Sequence, residues 1–372
     1  MIEKGTVPLQ CLCLDLNAVV TPDHCRRLVV IIVFQVTSVP NFPLKATSDI
    51  CPGKDIKEDM VHLTLFPHIH AMFYSQVFLF ALSVIFGLVL SAKADAVVYE
   101  GRVPLSFANS DLDTSTGPFL TAVKGSEAAT HYSQVLGNST APTSLWASTL
   151  TEQVISITID NTSVFVPGGG APQNGFRRTE LIAQNKSLST SLNDVMEVGV
   201  TRFHFSVKEN DQLPLNFTHE YQVVFIEPSD GTHVFELQIG TPFTNPTQSL
   251  PSSDAYALKI RDHSLNLLFS TDFTPSTWHN FAVQVDWDQR TLQVFYSTDG
   301  ETLEAVTDVV QNSSAGQGAT GEGDFHFGVL KLPLVNPDDS TANQNDVVHF
   351  GIQEGTTEGL LYSGIFVETI SS

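Results

Sequence analysis

Short segments in which apolar and polar residues alternate fill the chain from residue 95 onward. Clusters of Gly, Pro, Asn, Asp and Ser separate them, and no stretch of about ten residues has a convincing helical apolar period. This alternation is typical of antiparallel sheets with one buried face, so we predict an all-β sandwich, a β-jelly roll. The predicted strands are residues 152–159, 176–183, 195–207, 218–227, 234–239, 255–260, 279–287, 291–297, 324–332, 347–353 and 360–369.

A tryptophan-bounded segment supports this fold class. Residues 278–287 present one apolar face to the predicted core, formed by Phe281, Val283, Val285 and Trp287. Together with residues 291–296, the segment resembles the strand pair of concanavalin-like jelly rolls, a large group of glycan-binding and glycan-cleaving domains. The resemblance implies an antiparallel sandwich whose concave cleft holds a glycan, and it leaves the activity open.

An apolar run before this region has the form of a secretory signal. Residues 77–90 carry no charge and precede the small-residue pattern Ala92-Lys93-Ala94, which predicts a signal peptide at residues 72–94. The run is shorter than the ~20 apolar residues of a bilayer-spanning helix, so we expect no stable membrane anchor. The expected localisation is secreted and extracellular.

The segment before Met72 is interpreted as a non-native or gene-model extension, because a signal begins at a start codon. All four cysteines lie in that segment, at Cys11, Cys13, Cys25 and Cys51. Residues 95–372 therefore form no disulfide, but they are numerous enough to bury a sufficient core without one. We find no internal repeat or linker in them, so we predict a single domain.

Charge is distributed unevenly between these parts. Residues 1–94 carry seven basic and seven acidic side chains, which leaves 11 basic and 33 acidic ones in residues 95–372. The whole formal net charge of −22 therefore belongs to the predicted domain. Because such a field repels nucleic acids, anionic membranes and polyanionic substrates, we expect a neutral ligand and no nucleic acid. We also expect a monomer.

Five Asn-x-Ser/Thr patterns are candidate N-glycosylation acceptors, which fits a secretory route. They are Asn138, Asn161, Asn185, Asn216 and Asn312. Each pattern alone is common by chance, so they support export only as a set.

Polar residues on the non-core face of a strand are the candidates for catalysis and substrate binding. Alternation puts Arg178 and Glu180 on one side of their strand, and an arginine beside a glutamate lowers the expected pKa of the carboxyl. In residues 218–225 it puts Glu220 with Gln222 on the polar side, opposite a core face of Tyr221, Val223 and Phe225.

A third strand repeats the arrangement, with Glu236 and Gln238 opposite an apolar face. His326 faces away from Phe325 and Phe327 and can hydrogen-bond sugar hydroxyls or pack against a local partner. The predicted substrate-binding residues are therefore Arg178, Gln222, Glu236, Gln238 and His326.

Two carboxylic acids can hydrolyse a glycosidic bond, one protonating the leaving oxygen while the other activates water or attacks the sugar. The alternative role for each glutamate is a solvated cross-strand pair. Glu180 beside Arg178 suits the base, and Glu220 beside the neutral Gln222 suits the acid.

Six sequence blocks occur in order along the chain, at residues 99–104, 164–170, 175–181, 216–222, 323–331 and 349–355. They resemble glycoside hydrolase family 131, a fungal group of secreted β-glucanases, over nearly all of residues 95–372. The resemblance implies a β-jelly-roll catalytic domain with an open cleft that hydrolyses β-1,3-, β-1,6- and β-1,4-linked glucans, with inversion. It also implies that Glu180 and Glu220 are the catalytic pair.

Two other functions compete with this interpretation. Residues 178–181 and Gln238-Ile239 also resemble motifs of jelly-roll alginate and glucuronan lyases, but Gly240 and Leu330 stand where those enzymes place a histidine and a tyrosine. The net negative charge also opposes a uronate polymer. A non-catalytic glucan-binding module of the same fold would need only aromatic platforms and hydrogen bonds.

No cofactor is expected. Asp338-Asp339 is a candidate for a structural calcium site, which needs oxygen ligands from converging loops. His219 and His279 share the parity of core residues and are predicted to be structural. Three aromatic residues are candidates for stacking on glucose, although most aromatic residues of a sandwich are core; they are Trp146, Trp278 and Tyr221.

Overall fold

A computed structural model describes residues 16–19, 27–34, 42–49 and 95–371, with gaps at 116, 138–150, 185–189, 244–249 and 317–322. The chain divides into two compact units, Met1–Leu90 and Ser91–Ser372. In the first unit, β1 (Leu16–Val19), β2 (Arg27–Phe34) and β3 (Phe42–Asp49) form an antiparallel sheet. The predicted signal peptide and all four cysteines lie outside the described residues, and the extension at 1–71 stays a prediction.

Strands dominate the second unit. They are β4 (Ala96–Glu100), β5 (Phe119–Val123), β6 (Ser133–Val135), β7 (Ile155–Ile159), β8 (Arg177–Ala183), β9 (Val200–Glu209), β10 (Glu220–Pro228), β11 (Phe235–Gly240), β12 (Ala257–Asp262), β13 (Leu267–Asp272), β14 (His279–Asp286), β15 (Thr291–Thr298), β16 (Glu304–Ala305), β17 (Val310–Gln311), β18 (Gly323–Lys331) and β19 (Glu358–Thr369). The helices are α1 (Asn109–Asp113), α2 (Ala129–Tyr132), α3 (Thr190–Met196) and α4 (Thr341–Asn345). Within the described ranges, no helix is long and apolar enough to span a bilayer.

Two antiparallel sheets form the sandwich. The front sheet has the strand order β13-β12-β11-β10-β18-β8-β5. The back sheet has the order β16-β15-β14-β9-β19-β7-β6, with β4 added to β19 and β17 to β15. The predicted all-β jelly-roll sandwich is confirmed.

The core lies between the two sheets and is rich in phenylalanine. Phe203 of the back sheet meets Phe235 and Phe325 of the front sheet edge to face, with ring centroids 5.8 and 5.1 Å apart. All three are fully buried, and each such side chain contributes about 1.5–3 kcal/mol by leaving water. The predicted core face of β14 is confirmed, because Phe281, Val283, Val285 and Trp287 are all buried.

A β-bulge in β10 changes which side chains face outward. The register against both neighbouring strands shifts between Gln222 and Val224, and Val223 and Val224 both enter the core. Phe225 consequently turns to the outer face of the front sheet, where it joins a small cluster with Leu330 and Leu332. The prediction that Phe225 shares the core side with Tyr221 is therefore wrong, because the bulge inserts one residue into the alternation.

The predicted strand at 195–207 is wrong in its first part. Residues up to Met196 belong to α3, and β9 begins only at Val200. Gly199, with φ of +65°, lies between them in the left-handed region that ends many helices. Alternation across 195–199 therefore reflected a helix end and its turn rather than a strand.

The predicted strand at 347–353 is also wrong. After α4 the amides of His349 and Phe350 both donate to the Asp346 carbonyl, which closes a turn. Only Ile352 pairs, in a single bridge with Leu334. The alternation there is local and lacks the neighbouring strand that a ladder requires.

A buried carboxyl anchors a second bulge, in β19. The bulge lies between Ser363 and Phe366, and Oε1 of Glu152 accepts hydrogen bonds from the Ser363 hydroxyl and the Gly364 amide at 3.1 and 2.7 Å. Gly364 has φ of +63°, which suits glycine. Burial raises the pKa of Glu152, and the two hydrogen bonds oppose that rise only in part.

We predict that Glu152 makes stability depend on pH. Its folded pKa is raised above the ordinary value of 4.5, so its contribution is present below that pH and is lost as the pH rises through the folded pKa. Glu152→Gln, which resembles the protonated acid, should lack this loss, and Glu152→Ala should lower the unfolding free energy by about 1–3 kcal/mol. Urea denaturation at pH 4 and pH 7.5 measures both effects, and an identical pH dependence in wild type and Glu152→Gln would refute the anchor role.

Candidate active site on the front sheet

The outer face of the front sheet collects the residues that the sequence singled out. Strand register places Gln222 opposite Gln238 and Leu330, and it places Phe225 opposite Glu236 and His326. All seven predicted site residues lie on this face, on β8, β10, β11 and β18; they are Arg178, Glu180, Glu220, Gln222, Glu236, Gln238 and His326. Their assignment to catalysis or substrate binding stays a prediction.

Glu180 is held by three hydrogen-bonding contacts. Nε and Nη2 of Arg178 donate to its two carboxylate oxygens at 2.8 and 2.7 Å, and Nδ1 of His326 lies 2.9 Å from Oε2. Burial alone would raise the pKa of Glu180, but the charge of Arg178 and the contact with His326 outweigh it and lower the pKa to about 2. The predicted arginine effect is thus present, and Glu180 is an ionised carboxylate at neutral pH.

Glu227 is a carboxylate of this site that the sequence analysis missed. Its Oε2 lies 3.5 Å from Nη2 of Arg178 and 3.7 Å from Nε2 of His326. The Glu227 side chain is 27% exposed, whereas that of Glu180 is fully buried. Strict alternation from Glu220 assigns residue 227 to the core, and the bulge reverses that parity. The adjacent valines Val223-Val224 were the available signal for a break in the alternation.

Glu220 has a separate set of partners. Nη2 of Arg261 contacts Oε1 at 2.5 Å, the Phe243 amide donates to Oε2, and Nε2 of Gln222 donates to Oε1 at 3.1 Å. The neutral surroundings assumed for Glu220 are therefore wrong, because Arg261 stands against it. Arg261 was missed because the predicted strand ended at Ile260, one residue before it.

Glu236 is fully buried between Arg261 and His233. It accepts from Nε of Arg261, and its Oε2 lies against Nδ1 of His233. Burial would raise the pKa of Glu236, but His233 and Arg261 lower it. Since Arg261 bonds both Glu220 and Glu236, these two carboxylates share one positive charge.

An aromatic stack connects the two ion-paired groups. The Phe225 ring lies 4.9 Å from that of His326 and 4.2 Å from that of His233, with interplanar angles of 17° and 19°. Glu180, His326, Phe225, His233 and Glu236 thus form a continuous line across four strands of the sheet. The bulge in β10 is what places Phe225 in this line.

The two predicted catalytic carboxylates do not meet in this structure. Glu180 is level with Gly328 of β18, and the Glu220 carbonyl bonds the Leu332 amide, four residues further along. With β18 lying between β8 and β10, the two Cα atoms are roughly 16 Å apart. The Glu180 carboxylate instead bonds Arg178, and the Glu220 carboxylate bonds Arg261.

One set of three ligand-type side chains stands out among the described residues. Atoms of Glu180, Glu227 and His326 lie within 4.8 Å of one another, in the manner of a metal site. Arg178 already donates to both oxygens of Glu180, so a cation occupies that place, and we assign no metal there. Asp338 and Asp339, the predicted calcium ligands, do not belong to such a set.

A pocket opens at the Glu220 end of the face. It encloses about 70 Å³, and Glu220 lies among Thr218, Thr241, Phe243, Leu250 and the loop Pro333–Val335. Lys331, at the start of that loop, is anchored by Glu354 and Glu358 at 2.6 and 2.7 Å. His219 supports the same region through the Leu332 carbonyl, at 2.7 Å from Nδ1. One carboxylate therefore faces a small pocket with largely apolar walls.

Comparison with known proteins identifies the family. The sequence profile described as "Glycoside hydrolase 131 catalytic N-terminal domain" matches residues 97–372. The chain belongs to glycoside hydrolase family 131. It is therefore a glycoside hydrolase, as the six sequence blocks predicted.

Two solved structures of family 131 have a similar fold. A β-glucanase catalytic domain from Podospora anserina is 23% identical with a TM-score of 0.56, over 74% of this chain and 97% of that chain. The catalytic domain of the family 131 protein from Coprinopsis cinerea is 23% identical with a TM-score of 0.53, over 74% and 95%. No curated protein matches this sequence.

The predicted glycosylation acceptors have different surroundings in this family 131 domain. Asn161 is exposed in a turn, whereas Nδ2 of Asn216 donates to Glu354 at 2.9 Å. Asn312 is only 3% exposed, and its Nδ2 donates to the Val234 carbonyl at 2.8 Å. We correct the prediction for Asn312, because a glycan on that atom has no room in the folded domain. Asn138 and Asn185 lie outside the described residues.

The aromatic candidates for stacking on sugar also need correction. Trp278 and Tyr221 are buried, as the preference of a sandwich core for aromatic residues predicts, and neither offers a ring face to a ligand. Trp146 lies outside the described residues. His279 is buried against the Tyr296 hydroxyl at 2.8 Å, which confirms its structural role.

We predict that the buried pair Arg178–Glu180 matters far more for stability than the exposed pair Arg102–Glu100, which has the same i, i+2 spacing. Arg178→Met should lower the unfolding free energy by about 3–5 kcal/mol, because it removes the arginine that pairs with the buried Glu180 carboxylate. Arg102→Met, the matched control, should lower it by less than about 1 kcal/mol. Urea denaturation of the variants measures both values, and equal effects would contradict the ion-pair account.

Acid should weaken the same pair. Because the folded pKa of Glu180 is about 2 against an ordinary 4.5, its contribution is present above pH 4.5 and is lost as the pH falls toward 2. Glu180→Gln should flatten stability in that pH window. Unfolding curves between pH 5 and pH 2 test this expectation, and an unchanged slope in Glu180→Gln would oppose it.

Proposed function

We propose that this chain is a secreted β-glucanase that hydrolyses neutral β-1,3-, β-1,6- and β-1,4-linked glucans with inversion, using Glu180 and Glu220. The observation that carries the proposal is the placement of both carboxylates on one face of the front sheet in a family 131 catalytic domain. Arginine, histidine and glutamine side chains lie between and around them, and such groups suit sugar hydroxyls.

In the proposed reaction Glu180 is the base. Its low pKa keeps it ionised from the start of the cycle, as activation of water requires. Glu220 is the acid, and the adjacent pocket receives the sugar on its side of the scissile bond. An inverting pair needs carboxyl groups about 6.5–9.5 Å apart, so both side chains must lean toward each other across β18 when substrate binds.

A neutral polymer fits the electrostatics of the domain. Of its charged side chains 33 are acidic and 11 are basic, and on the front face Arg178 and Arg261 are already paired with glutamates. Little positive charge is left for a uronate or phosphate. Neutral glucans are therefore the preferred substrate class, because a protein binds them by hydrogen bonds to their hydroxyl groups and by contact with the apolar faces of their sugar rings.

The lyase alternative is weakened by Gly240, which stands where those enzymes carry a histidine. Gly240 has φ of +89°, and a Cβ there would lie 1.9 Å from the His219 carbonyl oxygen. No histidine fits that backbone. A non-catalytic glucan-binding module remains the competing proposal, supported by the ion-paired, buried state of both carboxylates.

Hydrolysis of laminarin, pustulan and cello-oligosaccharides by the full chain, measured as released reducing ends, tests the proposal. Glu180→Gln and Glu220→Gln should each reduce the rate at least ~100-fold, because each removes a proton-transfer group. Glu304→Gln on the exposed strand β16 is the matched control and should leave the rate unchanged.

The Glu227→Gln variant distinguishes the proposed catalytic pair, Glu180 and Glu220, from the alternative pair, Glu180 and Glu227. It should lower the rate less than tenfold if Glu227 only supports Arg178 and His326. Full activity of both Glu180→Gln and Glu220→Gln would refute the assignment, and no release of sugar by wild type from any of the three glucans would favour the binding module.

A further inference from the structure

Phe243 connects the Glu220 pocket with the outer face of the front sheet. It lines the pocket, and its backbone amide donates to Oε2 of Glu220. Its side chain is half-buried and packs against the outer-face cluster of Phe225, Leu330 and Leu332. One residue therefore holds the Glu220 carboxylate through its backbone and presents part of its ring beside that carboxylate.

The cluster under this ring lies between the two proposed catalytic residues. Leu330 of β18 is opposite Arg178 of β8 on one side and Gln222 of β10 on the other. Arg178 donates to Glu180, and Gln222 donates to Glu220. A glycan that reaches both carboxylates therefore crosses this cluster and the aromatic ring that rests on it.

The other walls of the pocket offer apolar side chains rather than free hydroxyl donors. The Thr218 hydroxyl already donates to Oδ1 of Asn216 at 2.8 Å, and the Thr241 hydroxyl already donates to the Phe217 carbonyl at 2.8 Å. The remaining lining residues besides Glu220 are apolar. A ligand in this pocket therefore meets mostly apolar side chains, with the Glu220 carboxylate as the polar group that faces it.

Charge and shape favour a neutral sugar with unobstructed ring faces. Among the described residues that line the pocket, Glu220 is the one that carries a charge, so the pocket offers no cation to a uronate or a phosphate. β-Linked glucose carries its hydroxyl groups equatorially, which leaves C–H groups on both faces of the sugar ring. An aromatic side chain in a pocket packs against such a face without a charged partner.

We propose that the Phe243 ring is the wall of the Glu220 pocket against which a glucosyl unit beside the scissile bond packs, while the Phe243 amide orients the Glu220 carboxylate. The proposal deepens the proposed function and rests on it for the identity of the sugar. The ring and the amide affect different quantities. The ring binds substrate and transition state alike, whereas the amide affects the chemical step through Glu220.

Titration calorimetry of laminarihexaose and cellohexaose with the full chain, in a Glu180→Gln background that limits turnover, tests the ring. Phe243→Leu should weaken binding of at least one hexaose about tenfold, which corresponds to about 1.4 kcal/mol, because leucine lacks the flat aromatic surface. Phe243→Tyr should keep the affinity of its parent, because the ring remains.

Phe269→Leu is the matched control. It makes the same substitution at another half-buried ring, which packs against the main core with its centroid 5.2 Å from that of Tyr296. It should leave both hexaose affinities unchanged. Urea denaturation should show similar losses of unfolding free energy in Phe243→Leu and Phe269→Leu, so that a difference in affinity between them cannot come from stability.

Steady-state hydrolysis separates the ring from the amide. Phe243→Leu, made without the Glu180 substitution, keeps the amide that bonds Glu220, so KM should rise about tenfold while kcat stays within about twofold. A lower kcat with an unchanged KM would contradict the sugar contact, because a ring that only supports the fold around Glu220 would affect the chemical step.

The binding measurement also separates this proposal from the proposed function. Equal hexaose affinities in Phe243→Leu and its parent, or no binding of either hexaose by the parent, would overturn the sugar contact, while release of reducing ends by wild type would uphold the proposed function. Weaker binding in Phe243→Leu without hydrolysis by wild type would refute the proposed function and leave the sugar contact standing.

Discussion

The bulge in β10 between Gln222 and Val224 determines the character of the front face. By admitting two consecutive valines to the core, it turns Phe225 and Glu227 outward. Phe225 then stacks between His326 and His233, and Glu227 reaches Arg178. A regular strand would bury Glu227 among phenylalanines, where its desolvation would oppose folding.

Compensation of buried charge is the second constraint. Glu180, Glu220 and Glu236 are each at most 3% exposed, and removing three carboxylates from water is unfavourable by several kcal/mol per ion. Arg178 and Arg261 offset this through hydrogen bonds to all three. In a domain with 33 acidic and 11 basic side chains, the placement of two arginines on this face gives each of these buried carboxylates a cationic hydrogen-bond donor.

The sequence predicted the parts that follow from local alternation. The β14 strand, the shared side of Arg178 and Glu180, and the outward direction of His326 follow from a period of two without knowledge of neighbours. Glu227 and Arg261 were missed because a bulge and a strand end, set by tertiary pairing, decide where they point. Asn312 was wrongly chosen because a glycosylation pattern carries no information about burial.

The stereochemistry of the first product tests the central claim most directly. The Cα atoms of Glu180 and Glu220 are roughly 16 Å apart, so even side chains extended toward each other hold their carboxyl groups farther apart than the about 5–5.5 Å that retention requires. Proton NMR of laminari-oligosaccharide hydrolysis should therefore show the α-anomer first. First appearance of the β-anomer would contradict the pair and point to Glu180 with Glu227, whose oxygens lie within 4.8 Å.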